Sequence, residues 1–475
     1  MTKNLISLVI ILFITVTSIS QKVKISVYPD SIVNDISRFP IGINVDYFMD
    51  DDHYLQPKRS TADALKAMGV KYLRYPGGNK SDCYLFSKPP YERAEPHLAR
   101  TGKGAVGGRE AALNASCTDF KNDVLDFDEF IALCREINAE PVIVVAGDEY
   151  NLKFPAGTTF SNREELITNA KEWVRYSNIK KKYNVKYWLI ANETWNDRLE
   201  NGASIYANDV VDFSKAMKVI DPSIKIIANG DTENWWKTLL PICSDAIDGI
   251  CVSNYPLNAP EKVKDLIRPA RIAYESIDKY GNTLHQKNMK VIVAEFGPFN
   301  WGIDCGNSFL NTQRNNIINF EIAGQELMET RIDFSCFWNT RWIDDGGGKW
   351  NGFDALDKNG NFNANGKGLM LWGNFHGEKM VKVLSSDSIK AFASINPNTK
   401  KIFVYILNKT NKASKLSIEF NGYTWISIHQ ALDLKGKDLD DQNPVITKLE
   451  NNTKAILEMI PGATIRVVEF EVTKS

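Results

Sequence analysis

Two glutamates end apolar runs that lie far apart in the chain. Glu193 closes the run in "KYWLIANETW" (residues 186–195), and Glu295 closes the one in "VIVAEFGPFNW" (291–301). Brought face to face, such a pair is the equipment for glycoside hydrolysis: one group protonates the leaving oxygen while the other, ionised, attacks the anomeric carbon. Mutual repulsion and unequal burial would separate the two pKa values and divide the labour. One strand-end Glu is explained as well by a helix cap or an Arg partner. Two of them, with Asn192 beside the first, favour catalysis. If the pair works by retention, its carboxyl groups belong about 5 to 5.5 Å apart, against about 6.5 to 9.5 Å for inversion.

Such a meeting requires a closed fold. Residues 185–191 read as a strand buried on both faces, because parallel strands wrapped in helices are near-continuous apolar runs. Similar runs occur at 41–45, 71–74, 141–145, 225–228, 249–252, 290–294 and 334–338, making eight strands in all. Between them lie helical patterns such as 60–68, 126–138, 163–182, 207–220 and 311–330, several opening on Ser, Asn or Asp as N-caps. This alternation predicts an α/β fold, a (β/α)8 TIM barrel, whose ligands bind at the carboxyl ends of the strands. From residue 382 the texture changes to short alternating segments, "KAFASI", "KIFVYILN", "KLSIEF", "TWISIHQ" and "TIRVVEFEV", which predict a C-terminal antiparallel β-sandwich. The expected division is a catalytic barrel over 38–377 and a sandwich over 378–475, with a strand from 21–37 ("KVKISVYPD") added to the sandwich.

Further residues fall at the same predicted mouth. "LRYPGGN" (73–79) puts Arg74 at a strand end, where a guanidinium could hold a nucleophilic carboxylate ionised and oriented. Tyr255 in "GICVSNYP" could donate to that carboxylate, and Trp338 in "FSCFWNTRW" could floor a sugar ring. Taken singly, Arg74 is explained by an ion pair and Trp338 by plain core. Trp195, Trp235, Trp236, Trp301, Trp342 and Trp350 also lie near strand ends, enough indoles to line several subsites of a polysaccharide groove. Asp148, Glu149, Asp231 and Glu233 are further strand-end acids, with Glu149 in reserve for Glu193.

Bulk properties narrow the partners. With 57 basic against 58 acidic side chains there is no electrostatic case for nucleic acid or an anionic membrane. Lys3, the apolar run 5–16 and "SIS" before Gln21 predict a signal peptide over residues 1–20, cleaved near Ser20, and hence a secreted or periplasmic protein. Seven cysteines leave at least one unpaired in an exported chain; Cys83 with Cys117 and Cys243 with Cys251 are the pairs considered, while Cys134, Cys251 and Cys336 also read as core. "GKGAVG" (102–107) follows no strand and opens no helix, so no dinucleotide cofactor is expected. "DDGGGKW" (344–350) lacks phosphate-loop spacing, and five His without HxH or HExxH argue against a catalytic metal.

"LRYPGGN", "LDFDEFIALCREINAEPVIVV" (125–145) and "AKEWVRYSNIKKKYNVKYWLIANETW" (170–195) resemble blocks of the α-L-arabinofuranosidases of glycoside hydrolase family 51, within the clan A retaining glycosidases. The resemblance implies Glu193 as acid/base, Asn192 as partner of the sugar 2-hydroxyl, Glu295 as nucleophile, Arg74 and Tyr255 as its supports, and Asn79 in the sugar-binding set. The chain departs from that pattern at Ala191, where the family has Gly, at Ser253-Asn254, where a His usually precedes the Tyr, and at Phe296, usually Trp. Endo-acting clan A glycanases, of agarase, porphyranase or β-glucanase type, share the frame and stay open as an alternative. A non-catalytic carbohydrate-binding protein is a second, which retention of both acids disfavours.

Overall fold

The computed structural model describes residues 22–95, 97–98, 124–147, 162–197, 202–256, 265–282, 288–298, 311–341, 354–450 and 453–475. Eight strands close into a parallel barrel: β2 (Ile41–Asn44), β3 (Tyr72–Tyr75), β4 (Glu140–Val145), β5 (Tyr187–Ile190), β6 (Lys225–Asn229), β7 (Gly249–Asn254), β8 (Lys290–Phe296) and β9 (Ile332–Phe337), with β9 pairing back to β2. Strand β1 (Val23–Asp35) precedes them and belongs elsewhere.

The helices form where their ends are capped. Helix α1 (Thr61–Met68) opens on the Ser60 hydroxyl and stops at Gly69, whose φ of +80° suits glycine and whose missing Cβ leaves room for the Gly373 carbonyl. Helices α2 (Phe127–Ile137) and α3 (Arg163–Val174) both open with reciprocal capping boxes, Asp126 with Glu129 and Asn162 with Glu165. A π-helical turn, Arg175–Lys180, extends α3, so the helical pattern read as 163–182 is one α-helix with a widened last turn. Helices α4 (Gly202–Lys218), α5 (Glu233–Cys243), α6 (Arg268–Tyr280), α7 (Gln313–Leu327) and α8 (Ala364–Asn374) complete the described layer.

Alternation along each strand sorts side chains between the lumen and the helix layer. Tyr72, Val142, Val144, Tyr187, Leu189, Ile227, Cys251, Ile292, Ala294, Phe334 and Cys336 fill the lumen, with Tyr72 stacked on Phe334 at 4.2 Å between ring centroids. Their neighbours Leu73, Tyr75, Ile143, Trp188, Ile190, Ile250, Val252, Val291 and Val293 face the helices. The Cys243–Cys251 pairing is overturned by this arrangement. Both thiols are free and buried, because Cys243 closes α5 in the helix layer whereas Cys251 points into the lumen on the far side of β7. Cys117 lies outside the described residues.

Beyond the two-residue pair Tyr84–Leu85 and His97–Leu98, the remaining strands, β10 (Lys379–Leu384), β11 (Ile389–Asn396), β12 (Lys401–Asn408), β13 (Ser414–Phe420), β14 (Tyr423–Lys435), β15 (Val445–Lys448) and β16 (Thr464–Lys474), join β1 and the short segment Met459–Ile460 in one nine-stranded sheet. The sheet curls on itself, since residues from strands distant in its order, Ile25, Leu416, Phe420, Ala431 and Phe470, share a single core. Pairing is antiparallel except between β1 and β13, which run parallel. That exception follows from β1 entering from before the barrel and slotting between β10 and β13, so its direction is set by β10 and not by a hairpin to β13.

The outer face of this sheet packs on α7 and α8. Trp372 lies 4.0 Å from the Tyr405 ring and stacks on Phe320 at 4.6 Å, while Gln313 donates to the carbonyls of Leu434 (2.8 Å) and Ala463 (3.1 Å). Trp372 is fully buried, so Trp372→Ala is expected to destabilise the fold by about 3 to 5 kcal/mol. Urea unfolding followed by Trp fluorescence measures this, and a loss below about 1 kcal/mol would show that the contact does not hold the sheet to the barrel.

Candidate active site

Arg74 is the hub at the carboxyl end of the barrel. Tyr72 points into the lumen, so two residues on, Arg74 does too, one layer nearer the mouth. Its Nη1 donates to Glu295 Oε1 (2.9 Å) and to Asn44 Oδ1 (2.8 Å), and its Nη2 donates to Asn192 Oδ1. The Arg74 and Glu295 side chains are 2 % and 5 % exposed, so the ion pair is withdrawn from solvent. Asn44 in turn donates to the Ala294 carbonyl on β8 (2.9 Å) and the Phe337 carbonyl on β9 (3.2 Å), fastening the guanidinium's support to two further strands.

Glu295 reaches this hub through an irregularity in β8. Ile292 and Ala294 already face the lumen, so strict alternation would send residue 295 outward. Instead two steps on β8, from Val293 to Glu295, match one step on β7, from Val252 to Ser253. This bulge re-aims the carboxyl into the mouth, and Phe296 takes the outward place. The second oxygen, Oε2, accepts a 2.6 Å hydrogen bond from Tyr255 Oη. Burial and the charges of Glu295 and Glu193 drive the Tyr255 phenol well above its usual range, so Tyr255 keeps the proton that it donates to Glu295.

Glu193 is positioned by a turn beyond β5 in which Ala191 (φ +56°) and Glu193 (φ +47°) both adopt left-handed backbone. Such conformations cost about 1 to 3 kcal/mol each and persist where surrounding bonds over-determine them. Asn229, at the end of β6, holds the turn by donating to the carbonyls of Ile190 (3.0 Å) and Ala191 (3.2 Å) and accepting from the Thr194 N–H (3.1 Å). Asp82 accepts from the Asn192 N–H at 2.7 Å, and Asn79 accepts from the Asn192 amide at 2.9 Å. Both come from the turn Gly78–Cys83, which Lys80 anchors through a buried 3.0 Å ion pair with Asp46.

The two carboxyls sit in unlike surroundings. Both oxygens of Glu295 accept from donors, one of them the Arg74 guanidinium. Glu193 is only partly open to solvent, and its pKa is pushed from an ordinary 4.5 up to about 8, first by burial and then by the negative charge of Glu295. The nearby Ser253 hydroxyl, the charge of Arg74 and the Asn196 amide pull the other way. The Asn196 bond spans 2.8 Å. One acid therefore keeps its proton at neutral pH beside a partner held by Arg74.

Trp338 follows β9, is 5 % exposed and lies over Gly78, where a Cβ would meet its ring at 2.4 Å, so little of the indole is free for stacking. Trp236 is fully buried core, and Trp235 is half-buried with its indole N–H on the Asn229 carbonyl at 2.9 Å. Trp195 is half-buried in the turn Thr194–Asp197. Glu233 does not join the mouth: it is exposed in the first turn of α5 and pairs with Lys279 at 2.7 Å. Asp148, Glu149, Trp301, Trp342, Trp350, "GKGAVG" and "DDGGGKW" fall outside the described residues. Sequence reading missed Asn44, Asp82, Asn196 and Asn229 as site-building groups. Asn44 and Asn229, amides ending apolar strands, carried the same signal that singled out Glu193.

Residues 64–254 match the family described as "Alpha-L-arabinofuranosidase 1 domain". The "Probable alpha-L-arabinofuranosidase C" of Aspergillus fumigatus is 26 % identical over 220 residues, covering 42 % of this chain and 38 % of that relative. The chain thus aligns with well under half the length of that relative. Among solved structures, an α-L-arabinofuranosidase from Thermotoga maritima, crystallised as an arabinose complex, superposes with a TM-score of 0.70 at 20 % identity, covering 94 % of this chain and 99 % of that one. A family 44 xyloglucanase from Paenibacillus polymyxa superposes at 0.62 with 13 % identity, covering 95 % and 100 %.

A carboxyl whose folded pKa is raised adds stability that is complete below its unfolded pKa and disappears as pH rises through the folded one. For Glu193 that window runs from about 4.5 to about 8. Wild-type stability in chemical denaturation is expected to fall across it, and Glu193→Gln to fall less. Equal slopes would show that Glu193 does not hold its proton. By sequence over residues 64–254, and by a TIM barrel with a C-terminal β-sandwich over nearly its whole length, the chain is similar to the family 51 α-L-arabinofuranosidases of clan A.

Proposed function

We propose that the protein is a retaining glycoside hydrolase acting on terminal α-L-arabinofuranosyl groups of plant or algal saccharides. The feature that carries this reading is the unequal pair, a Glu193 whose pKa is raised by burial and by the charge of Glu295, beside a Glu295 clamped by Arg74 and Tyr255. In the first step the Glu295 carboxylate attacks the anomeric carbon as Glu193 gives its proton to the departing glycosidic oxygen, leaving a glycosyl ester on Glu295. That transfer strips Glu193 of its proton and removes the negative charge on Glu295. In the second step the Glu193 carboxylate takes a proton from water, whose oxygen displaces Glu295 and restores both groups. Asn192, fixed by Arg74, Asn79 and Asp82, is the group placed to bind a hydroxyl beside the reacting carbon.

The likeness in fold to a xyloglucanase supports an endo-acting glycanase as a second reading of the same site. The Aspergillus relative, a probable α-L-arabinofuranosidase, and the matched domain support arabinofuranoside first. We also propose export with cleavage after Ser20, which amino-terminal sequencing of the released protein tests: Gln21 is the expected first residue.

The test of the activity is turnover of an aryl α-L-arabinofuranoside followed by NMR at the anomeric centre. Retained configuration is expected, together with loss of turnover by at least about a thousandfold in Glu295→Gln while arabinose binding persists. Inverted product, or a Glu295→Gln variant of unchanged rate, would remove Glu295 from the nucleophile's role.

A further inference from the structure

Strands β5 and β6 part at the foot of the turn that carries Glu193. In their shared register Tyr187 stands opposite Lys225 and Leu189 opposite Ile227, and the Lys225 N–H donates to the Lys186 carbonyl at 2.7 Å. Continued to the ends of both strands, the same ladder would send the Asn229 N–H to the Ile190 carbonyl. A side chain occupies that rung instead. Tyr206, fully buried on α4, accepts from the Asn229 N–H at 2.9 Å and donates to the Ile190 carbonyl at 2.6 Å. A phenol can do both at once, so the strands separate there with neither backbone group left unpaired. Beyond the inserted hydroxyl, the Asn229 side chain spans the turn. Its Nδ2 donates to the Ile190 (3.0 Å) and Ala191 (3.2 Å) carbonyls and to Thr194 Oγ1 (3.1 Å), while its Oδ1 accepts from the Thr194 N–H (3.1 Å). The Trp235 indole N–H holds the Asn229 carbonyl at 2.9 Å. Glu193 lies between the two residues, Ala191 and Thr194, that this one amide joins.

We propose that Tyr206 is a positioning residue for Glu193: its hydroxyl, set between the ends of β5 and β6, fixes Asn229 against the turn and so aims the acid at the leaving oxygen. The proposal rests on the acid/base reading of Glu193 given above. Without the hydroxyl, the Asn229 N–H has two courses, and both disturb the turn. It stays buried with no acceptor, or the strands close until it reaches the Ile190 carbonyl, which draws the turn toward β6. The nucleophile is held by other bonds, from Arg74 on β3 and from Tyr255 beyond β7, in which neither Tyr206 nor Asn229 takes part. Loss of the hydroxyl therefore acts on proton donation and spares the attack on the anomeric carbon.

The experiment compares wild type, Tyr206→Phe, Asn229→Ala and Glu193→Gln in the full chain on two aryl α-L-arabinofuranosides, one releasing dinitrophenol and the other phenol. A strongly acidic phenol leaves without a proton, so kcat/KM on the dinitrophenyl substrate is blind to the acid. A positioned general acid contributes about a hundredfold to ten-thousandfold, of which Tyr206→Phe is expected to lose about tenfold on the phenyl substrate and under about twofold on the dinitrophenyl one. Asn229→Ala is expected to show the same split, larger. A merely structural role lowers both substrates alike. Equal losses in these variants, or no loss on the phenyl substrate, would overturn the proposal. Hydrogen exchange over residues 187–197, read by mass spectrometry, is expected to quicken in Tyr206→Phe, and unchanged exchange would overturn it too. Equal losses on the two substrates in Glu193→Gln would remove the acid/base reading of that glutamate, while quickened exchange in Tyr206→Phe would still uphold the tie between Tyr206 and the turn.

Discussion

The buried contact between Arg74 and Glu295 is the constraint on which the rest of the mouth depends. One guanidinium joins β3 to the ends of β2, β5 and β8, because Asn44, Asn192 and Glu295 all take their hydrogen bonds from it. With both partners almost wholly out of solvent, losing either leaves an uncompensated charge, which typically costs about 3 to 5 kcal/mol. The lysine alternative has no planar fork and could not serve three acceptors in these directions at once. Geometry at the site and closure of the barrel are therefore coupled through one side chain.

The same contact explains why two identical residue types behave differently. Glu295 is surrounded by donors at both oxygens, whereas Glu193 receives weaker, neutral partners and feels its companion's charge. Neither carboxyl has an intrinsic role. The difference arises because Arg74 lies nearer one of them and because the turn carrying the other is held by the neutral Asn229 amide, along with the Asp82 carboxylate on its backbone. Transition-state stabilisation by preorganised charge requires such asymmetry to exist before substrate arrives.

Much of this was legible in the chain. The apolar runs located all eight barrel strands to within a few residues, since strands buried on both faces leave little room for ambiguity. Polar residues at the ends of those runs, Arg74, Glu193, Tyr255 and Glu295, do meet at one mouth. What stayed hidden depends on small geometric facts. No periodicity announces that residues 293–295 slip against β7, that Ala191 and Glu193 turn left-handed, or that Cys243 and Cys251 face opposite sides of a strand. Trp236 shows the same limit from the other side, because an indole near a strand end reads alike whether it lines a groove or fills a core. The parallel pairing of β1 with β13 escaped for a topological reason, since a strand contributed from before the barrel carries no turn to declare its direction.

The slip in β8 has a further consequence. A regular strand admits every second residue to the lumen, so the lumen's chemistry is governed by parity. Here parity is broken once, late in the strand, after Ile292 and Ala294 have been placed, and an acid enters the row without displacing the packing beneath it. Straightening that stretch with its sequence unchanged, so that Ala294 and not Glu295 stood opposite Ser253, would turn the carboxylate toward the helices. The capacity for chemistry in this barrel is in that sense a matter of counting along one strand as much as of which residue stands at its end.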